Sequence, residues 1–352
     1  MKLQKVNCIF WLAVALLAAA ACKKDDDDKV SPSLNGSLSF KVPEYVTPGY
    51  VAKMTPTGIS HPDGKSIGYY WKVTPGMTGA DTTRYENGLN SDGYETDGTF
   101  TYWFPDSLGT YTVSCYGFAK DYSSSYSSKY VTVVKGGLDG SITGTSILPK
   151  DKFIEADGVR YYYAMVNGIY WFRNNLANPA YGVPYVNAEA MSDVFGRYYS
   201  YEDAVRACPE GWRLPTDEEW IGMAEYIKNK ELADAYGIIP GIAADLMADI
   251  QFNQEDMWEY WPAVGEITNK SRLAFIPCGY ANLGNRNSDG TYPAASFFGL
   301  NEYAAFWTAD MVEDEEGMAY YRYLISDQPD MQIGKGDTKT LGASVRCVRD
   351  AE

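Results

Sequence analysis

Histidine is almost missing: the chain carries one, His61, among 352 residues. A single imidazole cannot build a histidine-rich zinc site, and it could act as a nucleophile's base only where it sits, in the N-terminal third. Cysteine is scarce too, with six, too few to be the framework of a chain this long. Basic residues are outnumbered, 30 Lys and Arg against 46 Asp and Glu, for a formal charge of −16. A nucleic-acid surface needs Lys and Arg clustered against phosphates, so this balance argues against that partner. Apolar material is ample. At 45% hydrophobic content the chain can fill two cores, since single cores stop growing near roughly 250–300 residues.

The N-terminus reads as a targeting signal. Lys2 and Lys5 precede an apolar run from Cys8 to Ala21, shorter than the roughly twenty residues a spanning helix needs. The run ends Ala19-Ala20-Ala21-Cys22 and then turns polar. This resembles the lipobox of bacterial lipoproteins, which implies lipidation at Cys22; ordinary signal cleavage is the alternative. The following Lys23 to Lys29, KKDDDDK, resembles the acidic export signal of Bacteroidetes surface lipoproteins. A solvated tether or a protease-site tag would read the same way. The implied location is the outer membrane, lipid-anchored and exposed on the cell surface. The acidity lies further on: residues 31–135 hold eight basic and nine acidic groups, whereas residues 136–352 hold 17 and 33. The later surface should repel polyanions and favour neutral or cationic ligands.

Residues 34–135 alternate in short runs between Gly, Pro, Asn and Asp turns, the pattern of an all-β immunoglobulin-like sandwich of seven strands. Tyr70-Trp71-Lys72-Val73, the aromatic run ending Phe104-Pro105-Asp106, and Gly109-Thr110-Tyr111-Thr112-Val113 resemble the polycystic-kidney-disease (PKD) type of that fold. Such modules are usually spacers or adhesion units. Tyr111, Val113 and Cys115 share one face by the two-residue period, which makes Cys115 a buried core thiol. The stretch Asp121 to Lys129, rich in Tyr and Ser, reads either as a binding loop or as a solubilising hairpin tip. Residues 136–149 read as a linker.

Two helices are expected in residues 150–352. Ser200 caps one running toward Cys208. Thr216 and Glu219 form a capping box for a second, whose Trp220, Met223, Ala224 and Ile227 fall on one face. The string CPEGWRLPTDEEW, Cys208 to Trp220, is the most specific feature of the chain. With Gly279-Tyr280-Ala281-Asn282, Phe306-Trp307-Thr308, Ala319 to Leu324 and Ser344-Val345-Arg346-Cys347-Val348, it resembles the Fibrobacter succinogenes major paralogous domain. That resemblance implies an α+β, C-type-lectin-like fold of two helices and a small antiparallel sheet. It also implies a Cys208–Cys347 disulfide, with two free thiols as the alternative, and leaves Cys278 without a partner.

Other leads are weaker. The helix start Arg213-Leu214-Pro215-Thr216 also occurs in the formylglycine-generating, sulfatase-modifying family. That chemistry uses a close pair of reactive C-terminal cysteines, and only Cys347 is there, so no enzyme activity is expected. Gln328-Pro329-Asp330 matches the galactose-type tripeptide of calcium lectins, yet no Trp-Asn-Asp follows. Asn285 to Gly290 alternates like a calcium loop, but position twelve is Ser296 rather than a bidentate Glu. Neither a metal nor a cofactor is expected.

The expected function is binding, as an adhesin or glycan-recognition protein, with a structural role in a surface or fimbrial assembly as the alternative. Its partners would be the membrane, a glycan or surface-protein ligand, and possible assembly partners. The ligand face is placed between Gly279 and Gln332, where polar groups mix with aromatics, as sugar binding requires. Its candidates are Asn282, Asn287, Trp307, Tyr321, Asp327 and Gln328, with Asn285, Arg286 and Tyr323 nearby. The period of Tyr320-Tyr321-Arg322-Tyr323 sends alternate side chains to opposite faces, so part of this set belongs to the core. The anchor has a direct test. Replacement Cys22→Ala should move the protein from the membrane to the soluble fraction, while protease added to intact cells cleaves the wild type. Retention of the variant in membranes would refute the lipid anchor.

Overall fold

The computed structural model describes residues 31–76, 83–87, 97–144, 152–232, 237–258 and 264–351. Cys22 and the export run lie outside them. Among the described residues no helix is long and apolar enough to cross a membrane.

The N-terminal part is built on a five-stranded sheet. Its order is Tyr45–Val46, Ser125–Val133, Gly109–Phe118, Gly68–Pro75, Thr83–Asn87. The first pairing is parallel and the rest are antiparallel. Trp71 fills the centre of the core, edge-on to Phe40 and stacked on Phe100, its indole N–H donating to the Gly98 carbonyl at 2.8 Å. Val113, Cys115, Val131 and Val133 complete the sheet's inner face, all buried. The facing layer differs from a continuous sandwich sheet. It is two separate ladders, Asn35–Ser39 with Thr57–Ser60 and Val51–Met54 with Phe100–Trp103. The first ladder slips register between Gly36 and Ser39, where Gly36 sits at φ 83 and a Cβ would lie 2.1 Å from the Gly58 oxygen. The stretch Asp121 to Lys129 is not all loop either: from Ser125 it is strand.

The second part corrects the expected fold. Among the described residues 42% lie in strands and 13% in helices, with the strands spread over many small sheets. Among the described residues there is no clear C-type-lectin-like arrangement of two helices on one sheet. Both capped helices do form. Ser200 accepts from the Asp203 N–H at the start of Tyr201–Ala207, and the Thr216–Glu219 capping box opens Asp217–Lys228. They are embedded among separate sheets: Phe153–Ala156, Val159–Val166, Ile169–Phe172 and Val348–Asp350 in one; Tyr303–Met311, Met318–Ile325 and Gln332–Asp337 in another; Ser296–Phe298, Tyr280–Asn282 and Leu341–Gly342 in a third. The reason lies in the long connections. They carry two-residue strands such as Val183–Pro184 and Gln251–Phe252, which satisfy backbone groups locally instead of extending one sheet. The described part of the 136–149 stretch is no free linker, since Leu138 and Ile142 are buried in the second core.

Two buried arginines hold these pieces. The Arg346 guanidinium is fully buried and donates to Asn175 Oδ1 at 2.6 Å, to the carbonyls of Phe172 and Leu273 at 3.0 and 2.8 Å, and to that of Ala274 at 3.1 Å. Its Cζ lies over the Phe275 ring, 4.6 Å from the centroid. Burial pushes its pKa down to about 9, so it stays charged at neutral pH. Arg322 is equally buried and grips both Asp217 oxygens, at 2.6 and 2.8 Å. Asp217 opens its helix, where a carboxylate also meets the helix dipole. The Cys208–Cys347 disulfide ties the end of the first helix to the strand beyond Arg346 across 139 residues.

Lysine at position 346 keeps the charge but not the planar fork. Replacement Arg346→Lys should leave buried carbonyls without donors and cost about 3 kcal/mol. At roughly 2–4 °C per kcal/mol for a domain of this size, thermal melts should show a drop on the order of 6–12 °C.

Candidate functional site

The sheet that ends in Gln332–Asp337 has two faces. Residues directly opposed in antiparallel strands share a face. Trp307 opposes Tyr321, Ala305 opposes Tyr323 and Tyr303 opposes Ile325; on the other side Tyr321 opposes Gly334 and Tyr323 opposes Gln332. Tyr303, Trp307, Tyr321 and Tyr323 therefore lie together. Arg322, Leu324 and Phe306 point the other way, into the interior. The neighbouring small sheet continues the first face. Tyr280 opposes Phe298, and Asn282 opposes both Ser296 and Leu341.

The rings connect across the two sheets. Phe298 stacks on Tyr280 at 5.5 Å, Tyr280 meets Tyr303 edge-on at 5.2 Å, and Tyr303 stacks on Tyr323 at 4.9 Å. Tyr321 lies 5.5 Å from Tyr323 and 6.1 Å from Trp307. Phe298 is 47% exposed and the four tyrosines are half-buried, whereas Trp307 is fully buried. The result is a strip of partly exposed rings with Asn282 and Ser296 exposed at one end. Glycines make room for it: a Cβ at Gly334 would sit 2.4 Å from the Tyr321 ring, and one at Gly336 would sit 2.2 Å from Leu341 and 2.9 Å from Trp307. Burial, then the hydrogen-bonded neighbour Tyr321, holds the Tyr303 phenol far above its ordinary range; burial also raises Tyr323. Both stay neutral and serve as hydrogen-bonding groups at physiological pH.

Of the residues singled out in the sequence, Asn282, Tyr321 and Tyr323 reach this strip. Asn282 Oδ1 accepts from the Gly284 N–H at 3.1 Å, and the residue is exposed. Trp307 is a correction: it belongs to the core, its indole donating to the Tyr199 carbonyl at 2.8 Å and its ring packing against Tyr201. Asn287 is taken up in a hairpin, bonded to Thr291 through main chain and side chain. Arg286 pairs with the buried Asp203 carboxylate at 3.2 Å, which also accepts from the Tyr292 hydroxyl at 3.1 Å. Asp327 and Gln328 are exposed in the turn after Ile325 and make no ring contact with the strip. Tyr280, Phe298 and Tyr303 were missed as site residues. The alternation Tyr280-Ala281-Asn282 was the available signal, since it puts Tyr280 on the side of Asn282.

The calcium-like matches have structural uses. The Pro329 carbonyl accepts from the Ala243 N–H and Asp330 Oδ1 accepts from the Gly241 N–H, docking the turn on its neighbour. Among the described residues no group of three or more His, Cys, Asp or Glu is placed to hold a metal. A cleft of about 900 Å3 opens on the opposite face beside Asp310, Glu313, Asp314 and Tyr320. Its Asp217 is already committed to Arg322.

Residues 165–349 match the model of the Fibrobacter succinogenes major domain. No curated protein matches the chain. Two forms of superoxide reductase (neelaredoxin) from Ignicoccus hospitalis are similar in structure, at 12% and 13% identity, over 28% of this chain and 80% of theirs, with TM-scores of 0.22 and 0.21. Overlap that slight carries no argument about fold or activity.

The glycine beneath Trp307 has a measurable role. Replacement Gly336→Ala should cost about 1–3 kcal/mol through overpacking against Trp307 and Leu341, read as a lowered midpoint in urea. Gly317→Ala meets open space at φ 78 and serves as the control for backbone strain alone.

Proposed function

The chain belongs to the Fibrobacter succinogenes major domain family, and on that premise we propose that it is a non-enzymatic binding protein of the cell surface. In this reading a lipid on Cys22 anchors it to the outer membrane. The PKD-like first part acts as a spacer, and the second part recognises glycans through its ring strip. One observation carries the proposal: Phe298, Tyr280, Tyr303, Tyr323 and Tyr321 form a connected, partly exposed row ending at Asn282. All of it lies inside the matched segment. Aromatic rings pack on the apolar faces of sugars while amides and hydroxyls meet their hydroxyl groups. The excess of acidic groups in residues 136–352 favours neutral over anionic glycans.

The test is a glycan array on the purified protein, followed by titration of whatever binds. Phe298→Ala and Asn282→Ala should each weaken binding by roughly 1 kcal/mol or more, about five-fold, with the melting temperature nearly unchanged. Full-strength binding by the double variant would remove the strip from consideration. A wild type that binds no glycan yet migrates in a large complex on a native gel would favour the role in a surface assembly.

A further inference from the structure

The outer face of the N-terminal sheet carries a second row of rings, independent of the first. Tyr70, Tyr116 and Tyr126 are directly opposed across three adjacent strands. Their centroids are 5.6 Å and 4.8 Å apart, and neighbouring ring planes are inclined by 49° and 44°. The other face of the same strands is the Trp71 core, so these side chains point to solvent. Tyr126 is 54% exposed and Tyr130, on the same strand, is 49% exposed. Hydroxyls lie between the rings: Ser114 opposes Ser128, Thr112 opposes Tyr130, and Ser114 Oγ lies 3.4 Å from the Tyr126 hydroxyl. Among the described side chains of these three strands, Lys72 is the only charged group on this face.

We propose that this face is a second binding surface, and that its ligand is a soluble, uncharged polysaccharide chain. Three features select that occupant. Rings interleaved with hydroxyls suit sugar rings, which present apolar faces and hydroxyl edges together. The charges are few and mixed: Lys72 on these three strands, with Arg84 and Glu86 at the register positions opposite Lys72 and Tyr70 on the adjoining strand, which gives little electrostatic grip on a polyanion. The rings are not coplanar, their planes being inclined by 49° and 44°, so the row does not offer the flat platform that the face of a crystalline polymer needs. Two strand spacings, about 9.6 Å, give room for a short run of sugar rings. Cross-strand pairing alone would stabilise the sheet, but it leaves the exposed outer rings and the open row unused.

The experiment is affinity electrophoresis of the full protein through gels containing soluble glucan, mannan or galactan, with heparin as the anionic counterpart and crystalline cellulose sedimentation in parallel. The expected result is retardation by at least one neutral polymer and by neither heparin nor cellulose. The Tyr116→Ala/Tyr126→Ala double variant should weaken it at least ten-fold at an unchanged circular dichroism spectrum. Tyr126→Phe, which keeps the ring, should retain it, and so should Phe298→Ala, which separates this surface from the strip of the second part. Retardation by no neutral polymer would overturn the proposal, as would undiminished retardation of the double variant. Loss of binding in Phe298→Ala alone would assign the polymer to the other site. Self-association of the wild type that the double variant abolishes would show a second copy as the occupant, against the proposal.

Discussion

A charged group without a charged partner sits at the middle of the second part. The Arg346 guanidinium spends its donors on one amide and three carbonyls, drawn from Asn175, Phe172, Leu273 and Ala274. Those acceptors come from stretches of chain that share no sheet. Removing a guanidinium from water costs several kcal/mol, and the cost is met only where hydrogen bonds are complete. The site is therefore an all-or-nothing junction: each stretch must arrive for the others to be satisfied. The segment that supplies Leu273 and Ala274 reflects this demand. Arg272 and Ala274 both adopt positive φ, 64 and 52, a conformation that non-glycine residues hold only when their surroundings impose it.

Arg322 repeats the device with a true ion pair. It joins the strand Met318–Ile325 to the first residue of the helix Asp217–Lys228. The side of that strand facing inward is thereby fixed, and so is its opposite side. Tyr321 and Tyr323 flank Arg322 in sequence and project from the other face. The aromatic strip is in this sense the outer consequence of an inner salt bridge. Alternation puts Tyr321 and Tyr323 on the side opposite the arginine, where they pack over buried Ala305 and Trp307 and keep part of their rings exposed.

Local chemistry was legible in the sequence. Ser200 and Thr216 announce their helices because capping depends on residues three apart. The burial of Cys115 followed from strand alternation, and Trp220 to Ile227 from helical period. The architecture of the second part was not legible, because its hairpins are joined into sheets by pairings between distant segments, Ile169–Phe172 with Val348–Asp350 and Tyr280–Asn282 with Leu341–Gly342, which leave no periodic trace. Arg322 and Arg346 were opaque for a different reason: arginine is ordinarily a surface residue, and no local pattern marks the exception. Trp307 looked available because Trp and Asn together suggest a sugar site. Its indole instead meets the Tyr199 carbonyl, a partner 108 residues away that only the fold reveals.

The parallel pairing at the N-terminus has a mechanical meaning. Ser33 bridges Ser123 in parallel, and Tyr45–Val46 runs parallel to the end of Ser125–Val133. The Thr132 and Val134 N–H groups donate to the carbonyls of Glu44 and Val46, at 2.8 and 2.9 Å. The chain leaves the far end of that same strand for the second part. Tension between the N-terminus and the second part would thus draw these segments past each other along their length. Bonds in such a geometry are loaded together rather than opened one at a time, so the first module resists pulling in shear where an antiparallel terminal hairpin would unzip.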